Sequence, residues 1–172
     1  MSDTPYNPHY PPSSNPYQDP LSKAHVGTAN VDDSKVDLSD PALLQAKKDV
    51  KDGKLSWVLF SYVGTSNRLK VESTSYEDSG SANIDEIVDE LNHGKPMFAF
   101  FRIYLQNNTV PKFVYFSWNP AGVPPLLKGL MHGRSYDIGN FLSPYHASID
   151  AQNEGDLSSE KILDRLRKAA GV

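Results

Sequence analysis

Cysteine is absent from the 172 residues. Its absence excludes disulfide staples, thiolate nucleophiles and cysteine-ligated zinc, and it fits a reducing compartment. Long apolar runs are missing too: none approaches the roughly 18–20 residues needed to cross a bilayer. Met1 to Tyr10 lack both the basic start and the apolar stretch of a secretory signal. An excess of positive charge is likewise lacking. A formal net charge of −4 argues against a general nucleic-acid binder, which needs a basic surface to neutralise phosphates. The expectation is one soluble cytoplasmic domain with no membrane span.

Catalytic signatures are also missing. The five histidines, His9, His25, His93, His132 and His146, show no metal-ligand spacing. There is no Gly-x-Ser-x-Gly elbow and no glycine loop that would cradle a phosphate. Asp85, Glu86, Asp89 and Glu90 cluster, but the polar face of one helix accounts for them. No enzyme, metal or cofactor is expected.

What is present divides near Ser39. Residues 1–39 hold six of the 13 prolines and almost no aliphatic periodicity. Such a segment buries too little apolar area to offset its ordering entropy, so 1–39 reads as a disordered arm, dispensable for folding. Within it, Asn7-Pro8-His9-Tyr10 fits a pattern read by phosphotyrosine-binding-type domains, though four-residue matches in such sequence are common by chance. Residues 40–172 read as the folded domain.

From Asp40 the punctuation is regular. Asp40 is a good N-cap, Pro41 suits the first helical position, and Leu43, Ala46 and Val50 share a face before Gly53. Trp57 to Val63 and the alternating Leu69 and Val71 read as strands about a Gly64 to Asn67 turn. Asn83 and Glu86 open a second helix through Ile84, Ile87, Val88 and Leu91, which Gly94 stops. Met97 to Leu105 and Phe113 to Trp118 are apolar on both faces and call for cover on both sides. A long helix runs through Val123 to Leu142, where Gly129, Gly133 and Gly139 favour a kink or fraying. A short strand, Tyr145 to Ala151, precedes a final helix capped by Ser158, with Ile162, Leu163, Leu166 and Ala169 on one face. The fold class is α+β: a mixed central sheet sandwiched between helices.

Several stretches together resemble the actin-depolymerising-factor homology (ADF-H) domains, most closely the drebrin-like and coactosin-like branch. They are Trp57 to Tyr62 with Ser66-Asn67, Asp85 to Leu91, Lys112 to Trp118, Gly122 through Lys128-Gly129 to Leu142, and His146 to Ala151 with Ile162 to Gly171. The resemblance covers roughly Asp40 to Val172. It departs at Asn119-Pro120-Ala121, where relatives carry Cys-Gly-Glu, at Lys128, the single cation where relatives often have a pair, and at Gln152, where relatives often have arginine.

The resemblance implies two actin-facing surfaces on a monomer that prefers filaments to monomeric actin. One is the exposed face of the long helix, with Lys128, Met131, His132, Arg134 and Ser135. The alternative for Lys128 and Arg134 is a solvated face, and periodicity alone puts Met131 in the core. The second surface gathers Lys112 with Arg165, Arg167 and Lys168, where cations would steer association with an acidic partner. The alternative there is a strand start and an ordinary charged helix whose last-turn cations favour the dipole. A long N-terminal extension and a single helix cation point to side-binding without efficient severing. Two rivals stand: a relative that binds the actin-nucleating branch complex, as the glia-maturation-factor branch does, and an adaptor whose arm recruits a partner.

Overall fold

The computed structural model describes residues 35–76, 80–106 and 109–170. Most of the expected arm, including Asn7 to Tyr10, lies outside those residues. Among the described residues there are four α-helices, one 3-10 turn and five strands: α1 (Pro41–Asp52), β1 (Trp57–Tyr62), β2 (Leu69–Thr74), α2 (Ile84–Asp89), β3 (Met97–Tyr104), β4 (Pro111–Trp118), α3 (Pro125–Leu142), β5 (Ala147–Ala151), a 3-10 turn (Glu154–Leu157) and α4 (Ser159–Ala169). The sheet order is β2-β1-β3-β4-β5. All neighbours are antiparallel except β4 and β5, which are parallel with Val114 opposite Ala147.

The two apolar runs form the middle of the sheet, in register from Met97 opposite Trp118 to Tyr104 opposite Pro111. Successive side chains point to opposite faces. Met97, Ala99, Phe101 and Ile103 meet Val114, Phe116 and Trp118, under Ile84 and Ile87 of α2 and Ile162 and Leu166 of α4. Phe98 and Phe100 meet Val58, Phe60 and Tyr115 on the other face, under Leu43, Ala46 and Val50 of α1 and Met131, Ile138 and Leu142 of α3. Each fully buried Phe or Leu contributes about 1.5–3 kcal/mol, so this double-sided packing sets the layer order.

The local signals act largely as their chemistry dictates. Asp40 Oδ1 accepts from the Ala42 N–H at 2.9 Å, and Gly53 ends α1 at φ 87°. Three expectations change. First, residues 35–39, placed in the arm by composition, are docked: Asp37 bridges Arg68, the Leu69 N–H donates to Asp37 O at 3.0 Å, and Val36 and Leu38 pack on the core. Second, α2 ends at Asp89 rather than Gly94. The Glu90 and Leu91 N–H groups make tighter i−3 bonds, and Trp118 Nε1 donates to Asn92 O at 2.8 Å, holding the chain out of the helix. Third, α3 runs unbroken for 18 residues despite its glycines. At Gly139 a Cβ would lie 3.2 Å from both Tyr115 Cε2 and the Tyr145 hydroxyl oxygen, so glycine there permits close packing on the sheet.

Candidate functional site

Helix geometry decides which side of α3 meets the rest of the protein. At about 100° per residue, Leu127, Met131, Arg134, Ile138 and Leu142 fall on one stripe. Met131, Arg134, Ile138 and Leu142 are buried, and Leu127 is half-buried. The opposite ridge carries Leu126, Gly129, His132, Gly133, Tyr136 and Asn140, all exposed. Leu126 is 81% exposed and Tyr136 is 70% exposed, unusual for large apolar side chains on a helix that otherwise packs on a sheet.

The expected contact set therefore divides. Met131 and Arg134 do not lie on an exposed face. The Arg134 guanidinium sits 4.9 Å from the centre of the Tyr62 ring on β1. Burial pushes the Tyr62 hydroxyl up to about 12, against the opposing pull of that guanidinium. Arg134 thus fastens the middle of α3 to the sheet.

Lys128, Met131, His132 and Ser135 are brought together along one flank of α3. They line a cleft of about 420 Å³ whose far wall is Tyr115, Ser117, Tyr145, Asp150 and Gln152. Tyr115 spans the floor, donating its hydroxyl to Ser135 O at 2.9 Å, and burial raises its pKa strongly. Ser117 Oγ donates to Asp150 Oδ1 at 2.7 Å. The side chains of Lys128 and His132 show no ion pair or hydrogen bond among the described residues, so the Lys128 charge is available at the surface.

The second expected surface is looser. Lys112 is half-buried at the start of β4, and alternation places it on the face that carries α4. Phe113 beside it donates its N–H to His146 Nδ1 at 2.9 Å. Burial, then Lys112 and Lys51, hold the His146 imidazole below its usual pKa. On α4, Ile162 and Leu166 face the core. Arg165 and Arg167, two residues apart, point to opposite flanks. Lys168 is outermost and pairs with Asp164 at 3.0 Å. Arg165 and Arg167 therefore do not share one compact patch.

Leu126 and Tyr136 were not singled out from the sequence. The signal was available, because both lie off the stripe that runs from Leu127 to Leu142. Among the described residues no group of His, Asp and Glu could hold a metal ion, and no helix is long and apolar enough to cross a membrane.

Comparison with known proteins fits this geometry. A family model described as cofilin/tropomyosin-type actin-binding protein matches residues 35–167, beginning at the docked segment before α1. The mouse drebrin-like protein is 38% identical over 134 residues, which is 77% of this chain but only 30% of that protein. This chain thus spans less than a third of that relative's length. Coactosin from Entamoeba histolytica superposes with a TM-score of 0.69 at 24% identity, covering 81% of this chain and 99% of that one. Mouse coactosin, titled an actin filament binding protein, superposes with a TM-score of 0.61 at 18% identity, covering 76% of this chain and 89% of that one. The two superpositions show a shared ADF-H-type α+β fold, and the sequence match shows descent within the drebrin-like and coactosin-like branch. By its match over residues 35–167, the chain belongs to the family of cofilin/tropomyosin-type actin-binding proteins, which bind rather than catalyse.

Proposed function

We propose that this chain docks as a monomer on the side of actin filaments, without severing them efficiently, as a cytoplasmic component of actin structures. The observation that carries the reading is the outward ridge of α3. Leu126 and Tyr136 stand exposed there, with the unpaired Lys128 and His132 on one flank. Apolar anchors beside a cation, Lys128, suit a partner groove that is hydrophobic with an acidic rim. Lys112, Arg165, Arg167 and Lys168 act over a broader area, steering association rather than forming a contact patch. Met131 and Arg134 contribute from beneath, by holding the ridge in place. Mouse coactosin, which shares the fold, is titled a filament binder.

The weak-severing part rests on the charge of α3. Relatives often carry a basic pair on the long helix, whereas the outward side of α3 carries the single lysine Lys128. Co-sedimentation with filaments is the test. The intact chain is expected to pellet, and Leu126→Ser with Tyr136→Ser to weaken pelleting by roughly ten-fold or more. Lys112→Glu should weaken it at low salt with little change in melting temperature. Pelleting unaffected by all three changes would remove these surfaces from the interface. Rapid filament shortening under the microscope at stoichiometric protein would refute the side-binding description.

A further inference from the structure

The last turn of α3 contains no basic residue, and its end lies on the sheet face shared with α1. Every α-helix leaves its last four carbonyls without intrahelical donors and gathers partial negative charge there. Part of this need is met locally. The Ser143 N–H donates to Gly139 O at 2.9 Å, and Ser143 Oγ donates to Asn140 O at 2.7 Å. A further part comes from α1, at Phe141 O inside the helix and at the two carbonyls just past its end. Lys47 Nζ donates to Phe141 O at 2.8 Å and to Ser143 O at 2.9 Å, and Lys51 Nζ donates to Pro144 O at 2.8 Å.

The two lysines are four residues apart and so share one face of α1. Each ammonium also lies by an aromatic ring: Lys47 is 5.5 Å from the centre of Phe141, and Lys51 is 5.1 Å from that of Phe113. Neither makes a salt bridge with a carboxylate among the described residues. Burial lowers the pKa of both, and for Lys51 the neighbouring Lys47 lowers it further. Two like charges brought together and partly desolvated are unfavourable by themselves. Here Lys47 reaches the helical Phe141 O and Ser143 O, and Lys51 reaches Pro144 O two residues past the helix, which offsets that cost.

We propose that Lys47 and Lys51 are positioning residues for the filament-facing helix: from α1, Lys47 caps the end of α3 and Lys51 ties down the segment that leaves it, and together they fix its rotation on the sheet. The proposal rests on the filament reading above. Elsewhere α3 is held by a narrow stripe, by Arg134 over Tyr62 and by the Tyr115 hydroxyl on Ser135 O. Its three glycines make its own backbone a poor guarantor of rigidity. A ridge that must present Leu126 and Tyr136 together needs both ends of the helix fixed.

The test uses the full chain with Lys47→Gln and Lys51→Gln combined, and with Lys47→Arg and Lys51→Arg combined. In the free protein, amide exchange over residues 139–143 is expected to rise about ten-fold in the Gln form, with β3 unchanged. Filament affinity should fall roughly five- to ten-fold, and the Arg form should restore both. The slope of affinity against salt should stay that of the parent, because the lysines do not touch the filament. A flattened slope would make them direct contacts and overturn the proposal, as would unchanged exchange over 139–143. A parent chain that fails to pellet would refute the filament reading instead, and the exchange result would still decide whether the lysines hold the helix.

Discussion

Arg102 sits in the second half of β3, 1% exposed, in a run that otherwise reads as apolar on both faces. Its Nη1 donates to Val50 O at 2.6 Å and to Leu55 O at 2.7 Å, and its Nη2 donates to Gly80 O at 2.9 Å. One guanidinium therefore ties the end of α1, the turn after it and the approach to α2 to the middle strand. A planar fork reaches three carbonyls in a way that the single ammonium of lysine does not. Arg102→Met would fill much of the volume but leave buried carbonyls without donors, at a cost of about 3–5 kcal/mol. Arg102→Lys should cost less, about 1–3 kcal/mol, because part of the charge-assisted bonding survives. Urea unfolding of both variants checks the order. A Met variant as stable as the parent would show that the carbonyls find water instead.

At the scale of elements, legibility followed periodicity. For α1 the cap, proline, apolar spacing and closing glycine all agreed, so both its bounds and its buried face could be read. The β3 and β4 pair was legible because no surface strand is so apolar on both faces. The orientation of α3 was harder to read. It carries Leu126, Leu127, Leu130, Met131, Ile138, Phe141 and Leu142, which spread around the cylinder and blur the stripe. Treating every cation on it as outward put Arg134 on the wrong side, although its spacing from Met131 and Ile138 places it inward. The helix also withstands its glycines for different reasons at different positions. At Gly129 an added Cβ would meet nothing within 4 Å, whereas at Gly139 it would press on Tyr115 and Tyr145. Gly129→Ala should therefore raise stability by about 0.5–1 kcal/mol through helix propensity. Gly139→Ala should show no gain, since the same propensity is offset by the close contact. Thermal melts of the two single variants test this. A gain at both positions would mean that the aromatic floor yields, and that Gly139 is not required for the fit.

For the whole molecule, the boundary of the folded unit is the feature that composition read least well. Residues 35–39 look like the segment before them, polar and short of periodicity, because their stabilisation comes from a partner strand and not from any pattern of their own. The Asp37 N–H donates to Asn67 O at 2.9 Å, Asn67 Nδ2 donates to Lys35 O at 2.9 Å, and Val36 and Leu38 pack on the core. This short stretch pairs with the very start of the outer edge of β2, at Arg68 and Leu69, where unpaired backbone donors and acceptors would otherwise invite pairing with another chain. Two truncations separate the contributions. A chain starting at Lys35 keeps every contact described for the domain and should melt close to the intact protein. A chain starting at Asp40 keeps the α1 cap but loses the bridge to Arg68 and two partly buried aliphatic side chains. It should be less stable by roughly 1–3 kcal/mol, a drop of several degrees in Tm. It should also self-associate more readily through the uncovered start of the β2 edge, which sedimentation velocity would detect. Equal melting of the two truncated chains would reduce residues 35–39 to a surface decoration. A chain from Lys35 that melts well below the intact protein would move the boundary further upstream.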